Sequence, residues 1–189
     1  MKRRYELKER AQRQAETRQR IVEATVELHT SIGPARTTIS AIAERAGVER
    51  HTVYSHFPDE RTLIGACSAH WESQHPRPDV RRWLDLEPQE RMRGVLADVY
   101  AWYADVESDL EVLMRDTSLV PAHGEVMAKT AEEMGALADA LTRGWSRRKT
   151  VRAAIGHSLE FETWRSLVRR QGLSRKQAVD AMVRLVANV

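Results

Sequence analysis

Apolar residues recur at helical spacing along nearly the whole chain. Ile21, Leu28 and Ile32 belong to a first stripe that steps by three, four and seven residues, and this stripe stops at Gly33-Pro34. No segment shows the alternation of apolar and polar residues that marks a half-buried strand. The pattern therefore predicts an all-α fold whose first helix ends at residue 32.

Two short helices should follow, separated by a tight turn. Thr37 or Thr38 can cap the first of them, and its apolar positions stop at Gly47. The second lies in the stretch GVERHTVYSHF at residues 47–57 and must end before Pro58, because the residue before a proline is pushed out of the α region. Short helices joined by a glycine turn indicate a helix-turn-helix unit.

Longer apolar stripes predict a helical bundle in the rest of the chain. A fourth helix should begin near Asp59 and end in the Pro-rich stretch at residues 75–78, the best candidate for a boundary. Further helices are expected around 92–106 and 110–114, over 121–145 and from 146 to about 171, with a capping box of Ser174 and Gln177 before the last. We predict a basic N-terminal arm at 1–16, a helix-turn-helix domain at 17–61 and a larger helical domain at 62–189.

Composition favours a globular protein of the cytoplasm. Hydrophobic residues make up 42% and charged residues 30% of the 189 residues. Cys67 is the single cysteine, so an intramolecular disulfide framework is excluded, and the chain has neither a membrane-spanning run nor an apolar signal segment. Residues 1–20 carry eight Lys or Arg against three Asp or Glu, a local excess typical of chains that bind polyanions and also of solubilising tails.

The predicted helix at 47–57 has an unusually polar outer face. With Val53 and Phe57 turned inward, its remaining side chains point outward, where the second helix of such a unit meets base edges. Arg50 can donate two hydrogen bonds to guanine, which discriminates against a wrong base by about 1–3 kcal/mol. A solvated helix surface is the alternative. The candidate DNA contacts are Thr38, Arg50, His51, Thr52, Tyr54, His56 and Arg61.

The run TTISAIAERAGVERHTVYSHFPDERTLIGA resembles the DNA-binding segment of the tetracycline-repressor (TetR) family of bacterial transcription regulators. The match covers roughly residues 17–70 in residue type and spacing. The resemblance implies a larger C-terminal all-helical domain that binds a small-molecule effector and pairs two subunits through its last two long helices. It also implies a double-stranded DNA operator as partner, with repression as the expected outcome.

Two residues depart from the family pattern. Glu49 stands where Ser or Thr often caps the reading helix, and Glu60 stands where Lys is often found near the DNA backbone. Glu49 suits the helix dipole but would lie close to phosphates, and Glu60 removes an expected phosphate contact. Arg61 could compensate in part, although it faces about 100° away on the helix. We therefore expect these two residues to alter DNA affinity but not the fold.

The predicted bundle contains large, adaptable side chains that could line an effector pocket. Each of them is also a natural core residue, because every bundle has apolar stripes. The resemblance favours a hydrophobic or aromatic effector, with His157 as its polar contact. The candidate ligand-binding residues are Trp102, Tyr103, Met114, Met127, Met134, His157, Phe161 and Trp164.

The last two predicted helices offer a surface for a second copy of the chain. Small residues on the first permit close helix approach, and an apolar stripe continues on the second. Packing within one chain is the alternative. The candidate dimer contacts are Ala153, Gly156, Leu167, Val179, Met182, Val183 and Val186.

No motif predicts catalysis, a cofactor or a metal. His51 and His56 are five residues apart, as are His70 and His75, and neither pair has the spacing of a zinc site on one helix face. Cys67 lies on an apolar helix face, so buried packing is favoured over redox sensing. One alternative to a ligand-responsive regulator is a dimeric DNA-binding protein without an effector. The other is an all-helical enzyme or binding module; in the enzyme, Glu160 or Asp98 would be the general base.

Overall fold

The computed structural model describes residues 2–189, with side chains from residue 5 onward. Within this range the chain forms ten α-helices and no β-strand, which confirms the predicted all-α fold. Short 3-10 turns cover Pro34–Arg36 and Val80–Trp83, and a π-helical turn covers Ser166–Arg170. The helices are α1 Lys2–Ser31, α2 Ile39–Ala46, α3 Arg50–His56, α4 Glu60–Gln74, α5 Pro88–Asp105, α6 Glu107–Arg115, α7 Pro121–Leu141, α8 Lys149–Ser158, α9 Phe161–Arg165 and α10 Arg175–Ala187.

Helix α1 begins far ahead of the apolar stripe that predicted it. Residues 5–16 are exposed, so packing does not explain why they are helical. The segment is rich in Ala, Gln, Glu, Lys and Arg, which have high helix propensity, and Gln12 donates a hydrogen bond to Glu16 one turn later at 3.0 Å. The described part of the predicted basic arm, residues 2–16, is therefore itself part of the first helix. The side chains of its first four residues lie outside the described range.

The chain divides into two compact units, and the first comprises residues up to Pro76 together with Ser108–Met127. Its core is one cluster of buried side chains from α1 to α4, which holds the short helices α2 and α3 in place. Burying each of the larger side chains contributes about 1.5–3 kcal/mol. The cluster contains Ile21, Val22, Ala24, Leu28, Ile42, Ala43, Ala46, Val53, Phe57, Leu63 and Cys67.

The helix ends of this unit follow the predicted chemistry. The Thr38 hydroxyl accepts a hydrogen bond from the Ala41 N–H at 3.1 Å and caps α2. Gly47 ends α2 in the left-handed conformation, with φ 63°, and starts the turn into α3. The Asp59 carboxylate accepts a hydrogen bond from the Thr62 N–H at 2.7 Å and caps α4. Local chemistry therefore sets both ends of α2 and the start of α4.

A later segment completes the first unit through a buried carboxylate. Asp116, whose side chain is 2% exposed, accepts hydrogen bonds from the Ala35 N–H at 3.0 Å and from Arg115 Nε at 2.7 Å. Arg115 also donates to the Ile32 carbonyl at 2.9 Å. Gly33 adopts φ 97°, and a Cβ there would collide with the side chains of Arg115 and Asp116. These five residues form what we call the Asp116 clamp, which anchors the end of α6 on the loop after α1.

The second unit comprises Arg77–Glu107 and Ala128–Val189 and is organised around α5, which packs against α10. Met92, Val95 and Leu96 on α5 are fully buried. Arg91 on the same helix is also buried, and its guanidinium donates to the carbonyls of Leu86 at 3.0 Å and Arg143 at 2.9 Å. These carbonyls satisfy the buried cation without a carboxylate.

The helix predicted from residue 146 to about 171 is broken in the structure. Helix α8 ends at Ser158, and the chain restarts as α9 at Phe161 before the π-helical turn. The break leaves two carbonyls for buried tyrosines: the Tyr100 hydroxyl donates to the Ser158 carbonyl at 2.8 Å, and the Tyr103 hydroxyl donates to the Leu159 carbonyl at 2.5 Å. The prediction of one continuous helix was wrong because these partners are distant in sequence.

Four of the predicted dimer contacts lie in the core of the second unit. They are on the α10 face that packs against α5 and are 8% exposed or less within a single chain. A side chain already buried in this way is not accessible to a second subunit, so packing within the chain accounts for this stripe. The four residues are Val179, Met182, Val183 and Val186.

Candidate nucleic-acid interface

Helix α3 is held in the first unit by two apolar side chains. Val53 is fully buried, and Phe57, which follows the helix, is 3% exposed. The guanidinium of Arg18 on α1 stacks over the Phe57 ring, with its central carbon 4.6 Å from the ring centroid. Because the whole inner face of this short helix is occupied, its other side chains must point away from the core.

The outward face of α3 carries the predicted DNA contacts. Arg50, His51 and Tyr54 are exposed, whereas Thr52 and His56 are half-buried. The Arg50 guanidinium makes no ion pair or hydrogen bond within the part of the chain that the structure describes. Thr38 is also exposed, at the start of α2. The geometry therefore leaves both donors of the Arg50 fork available, although the DNA-contact role of these residues stays a prediction.

Two acidic residues flank this face. Glu49 precedes α3 without a side-chain capping bond, and its Oε2 is 3.1 Å from His51 Nδ1. Glu60 begins α4 next to Asp59, whose pKa is lowered chiefly by the hydrogen bond from the Thr62 N–H. Glu49, Glu60 and Asp59 are all exposed, so three carboxylates lie beside the predicted reading face.

Arg61, the predicted compensating cation, already has a partner. Its Nη2 lies 2.5 Å from Glu125 Oε1, in an exposed ion pair within the first unit. Such pairs contribute about 0.2–1 kcal/mol, so a phosphate could replace Glu125 at small cost. Arg61 therefore stays a predicted DNA contact that would first have to leave its carboxylate.

Two arginines that follow the predicted N-terminal arm have structural contacts that the sequence did not reveal. Arg18 covers the Phe57 ring, and Arg20 donates from Nη1 to the Ala46 carbonyl at 3.2 Å. Both therefore stabilise the packing of α1 on the helix-turn-helix. The sequence signal that could have found them is weak, because an exposed arginine near a helix end has many possible partners.

Two polar side chains meet at the centre of the first unit. The Sγ of Cys67 is 3.5 Å from the Nδ1 of His29, and both side chains are buried. Burial lowers the pKa of His29 to about 4; His123 adds to this shift and Asp116 opposes it. Burial also raises the pKa of Cys67 to about 12, so its thiol is protonated at neutral pH and is not a reactive thiolate.

The second unit brings together four of the predicted ligand-binding residues. Tyr103 lies at the centre, with ring centroids 5.6 Å from Trp102, 5.4 Å from Phe161 and 5.9 Å from Trp164. The Nε1 of Trp164 is buried and has no hydrogen-bond partner within the described part of the chain. We call these four residues the aromatic cluster. Its contacts fit both core packing and ligand binding.

The other four predicted ligand-binding residues are divided between the two units. Met134 is half-buried in the second unit, whereas Met114 and Met127 belong to the first unit. His157 has an exposed side chain; its ring lies 3.2 Å from the Thr163 hydroxyl and 3.4 Å from the Glu160 carboxylate. Met114 is 37% exposed, contrary to the packing that its helical stripe suggested.

Three predicted dimer contacts remain accessible. Ala153 on α8 is exposed, and Gly156 and Leu167 are half-buried. Leu185 on α10, which the sequence stripe did not include, is 40% exposed although its neighbours Val183 and Val186 are buried. The accessible apolar surface of the last helices therefore differs from the predicted stripe.

Neither a membrane span nor a metal cluster is found among the described residues. No helix in residues 2–189 is both long enough and apolar enough to cross a membrane. No group of three or more His, Cys, Asp or Glu side chains in that range is arranged to hold a metal ion.

Residues 21–67 match the family model of bacterial regulatory proteins, tetR family. The probable HTH-type transcriptional regulator ArpR of Pseudomonas putida is 38% identical over 95 residues, which cover 49% of this chain and 44% of that protein. The chain spans less than half the length of the curated relatives it matches. The sequence similarity thus covers the helix-turn-helix and only part of the larger helical domain.

Solved structures extend the similarity in fold to most of the chain. A TetR-like transcriptional regulator from Rhodococcus sp. RHA1 has a TM-score of 0.61 at 18% identity, over 90% of this chain and 93% of that one. The multidrug binding protein EbrR, solved in complex with imidazole, has a TM-score of 0.62 at 20% identity. The match covers 89% of this chain and 88% of EbrR. At these identities the comparison establishes a shared all-helical fold.

Proposed function

We propose that the chain, whose residues 21–67 match the family model of bacterial regulatory proteins, tetR family, is a ligand-responsive regulator of transcription that acts as a homodimer. In this proposal residues 17–61 bind a roughly palindromic operator and repress transcription. Residues 62–189 bind a small hydrophobic or aromatic effector and pair the subunits. Binding of the effector favours a conformation that releases the operator.

The free guanidinium of Arg50 carries the DNA-binding part of the proposal. It stands in the first turn of α3, on a face whose opposite side is fixed by Val53 and Phe57. A guanidinium with both donors available can bind guanine through two parallel hydrogen bonds, which would supply sequence discrimination. The Tyr54 hydroxyl on the same face suits a phosphate oxygen, which would set the register of the helix on DNA.

A titration of the protein with DNA from its own upstream region tests this part. We expect Arg50→Ala to lose about 1–3 kcal/mol of binding free energy and to relax specificity at one base pair. Tyr54→Ala should weaken all sequences alike, and binding should fall steeply with salt. Arg184→Ala removes one exposed charge in the second unit and is the matched control. Equal binding by Arg50→Ala and Arg184→Ala would contradict the assigned reading face.

The dimer places two copies of α3 on one duplex. Half-sites in successive major grooves are about 34–36 Å apart, and a two-fold axis makes the operator roughly palindromic. Among the predicted contacts, Ala153, Gly156 and Leu167 are still accessible, and the exposed Leu185 adds apolar surface on α10. We propose that this accessible set, not the buried α10 stripe, meets the second subunit.

Two aspartate substitutions on α10 distinguish its accessible apolar surface from its buried stripe. Leu185→Asp should give a folded monomer, because it places a charge in the proposed interface and not in the core. Val183→Asp should instead unfold the second unit, because Val183 is 2% exposed and an unpaired buried charge is strongly unfavourable. Light scattering measures the mass of each variant in solution, and circular dichroism shows whether the variant is folded. Leu119→Asp, at an exposed leucine of the first unit, is the control, and a dimeric Leu185→Asp would refute the interface.

The aromatic cluster supports an apolar, aromatic effector. Its four large side chains offer ring faces and edges that suit a planar ligand, and the buried Trp164 Nε1 can donate to an acceptor on that ligand. His157 stays the candidate polar contact. A dimeric DNA-binding regulator without effector is the rival proposal. A compound that raises the melting temperature and also abolishes operator binding would exclude that rival.

A further inference from the structure

A cleft of about 270 Å³ opens in the first unit, whereas the aromatic cluster belongs to the second. The floor of the cleft is apolar and comes from three helices: Ile42 from α2, Phe57 after α3, and Leu63 and Ile64 from α4. These four side chains are 3% exposed or less, so the floor is held firmly by the core. A volume slightly below that of drug-sized pockets suits a small ligand.

The mouth of the cleft is negatively charged. The exposed residues Asp59 and Glu60 line the cleft together with Tyr54, and the hydrogen bond from the Thr62 N–H lowers the pKa of Asp59. Glu60 has no ion pair within the described residues. The nearby cation Arg61 is engaged by Glu125. Among the described residues that line the cleft, His29 is the one basic side chain, and burial keeps it neutral at pH 7; the Arg18 guanidinium stacks on the Phe57 ring but does not itself line the cleft.

We propose that this cleft binds a small organic cation, a protonated amine on a compact apolar body. The ammonium group would lie between the Asp59 and Glu60 carboxylates, and the apolar body would contact Ile39, Ile42 and Ile64. The floor argues against an inorganic divalent cation, which requires six or more oxygen ligands in the case of calcium. The two carboxylates argue against a neutral or anionic ligand of the same shape.

The cleft lies in the first unit and the aromatic cluster in the second, so this proposal does not depend on the proposed effector. Tyr54, a predicted DNA contact, forms part of the wall, so a bound cation would lie beside the reading face. It would also offset two negative charges that would otherwise approach the phosphates. An amine of about nine non-hydrogen atoms is expected to bind with a Kd of about 1 mM, because each such atom contributes only a fraction of a kcal/mol.

The isoleucine methyl groups provide a direct test. The chain has six isoleucines, of which Ile39, Ile42 and Ile64 line the cleft, whereas Ile21, Ile32 and Ile155 do not. We would label the δ1 methyl groups with ¹³C and titrate the full chain with 2-phenylethylamine at pH 7. The expected result is a saturable shift of the three cleft resonances only. No saturable shift, or a shift confined to Ile155, would overturn the proposal.

Charge recognition is tested with a matched ligand and a matched variant. 2-Phenylethanol has the same shape without the charge and should bind at least about threefold more weakly, the order expected for an exposed ion pair. Glu60→Gln should weaken the amine by a similar factor and leave the alcohol unchanged. Glu44→Gln, an exposed change on α2 outside the cleft, should have no effect. Equal affinity for the amine and the alcohol would refute a cation site.

Discussion

The two units satisfy their buried polar groups in different ways. The first unit buries two groups that titrate below neutral pH: the Asp116 carboxylate accepts hydrogen bonds from Arg115 and the Ala35 N–H, and the His29 ring lies 3.5 Å from the Sγ of Cys67. In the second unit, the buried Arg91 guanidinium and buried hydroxyls donate to backbone carbonyls, as Tyr103 does to Leu159. Burial raises the pKa of Tyr103, so its hydroxyl stays neutral over the whole physiological range.

This difference predicts different sensitivities. The first unit joins Ala35 and Asp116, 81 residues apart, through a buried carboxylate, whereas distant ion pairs of the second unit such as Arg93–Asp180 are partly exposed. The stability of the first unit should therefore depend on pH and on any substitution that breaks the hydrogen bonds of the Asp116 clamp. The second unit has neutral hydroxyl bonds at a helix break, so each bond should contribute modestly and without dependence on pH. Three changes, taken from the largest expected effect to the smallest, test this contrast.

Gly33→Ala should have the largest effect, because it attacks the Asp116 clamp from the backbone side. The φ of 97° with ψ of 154° is a region that essentially only glycine occupies, and forcing alanine there costs about 1–3 kcal/mol. The added Cβ also collides with Arg115 and Asp116. Together we expect a loss of about 4 kcal/mol in the free energy of unfolding of the first unit, measured by urea denaturation.

Gly65→Ala is the matched control for this change. Gly65 lies inside α4 of the same unit, and a Cβ there would meet no atom within 4 Å. The substitution should be neutral or stabilise the protein by up to about 1 kcal/mol, because alanine has the higher helix propensity. If Gly33→Ala were as stable as Gly65→Ala, the clamp would not contribute to the stability of the first unit.

Acidification should have the next largest effect, through His29. Its pKa is about 4 in the folded protein against 6.5 as the ordinary value, so the unfolded chain binds the proton more tightly. The stability that depends on neutral His29 is thus complete above about pH 6.5 and is lost as the pH falls toward 4. The loss should reach roughly 3 kcal/mol at pH 4. Urea denaturation at half-unit steps of pH would measure this slope.

His29→Leu should flatten the slope between pH 6.5 and pH 4, since it removes the titrating group and keeps an apolar side chain of similar size. His51→Gln changes an exposed histidine of the same unit and should keep the wild-type slope. The lowered pKa of Asp116 adds a further loss of stability only at lower pH, where that carboxylate gains a proton. An unchanged slope in His29→Leu would locate the acid sensitivity elsewhere.

The first unit could be predicted from the sequence because its boundaries depend on local chemistry. The cap at Thr38, the turn at Gly47 and the stop before Pro58 each act within a few residues. The polar outer face of α3 also follows directly from the spacing of Val53 and Phe57. The partner of Arg61 could not be predicted, because Glu125 is 64 residues away and exposed ion pairs carry no periodic signal.

The second unit was harder to predict because its helix break depends on contacts distant in sequence. Residues 146–171 contain no proline, and Gly156 lies inside α8, so no local signal ends this helix at Ser158. The same limit applies to α10: periodicity identified its apolar face but could not tell packing on α5 from packing on a second subunit. An apolar stripe shows which face of a helix is buried, but it does not identify the element that packs against that face.

Tyr103→Phe should have the smallest effect of the three and tests the origin of the break. The substitution removes the hydroxyl that donates to the Leu159 carbonyl and leaves that carbonyl in a residue only 2% exposed. We expect a loss of about 1–2 kcal/mol, equal at pH 7 and pH 5. Tyr54→Phe, at an exposed tyrosine, should leave the stability unchanged. A loss in Tyr103→Phe that grew on acidification would show that the second unit, like the first, depends on a titrating group, and the contrast between the units would fail.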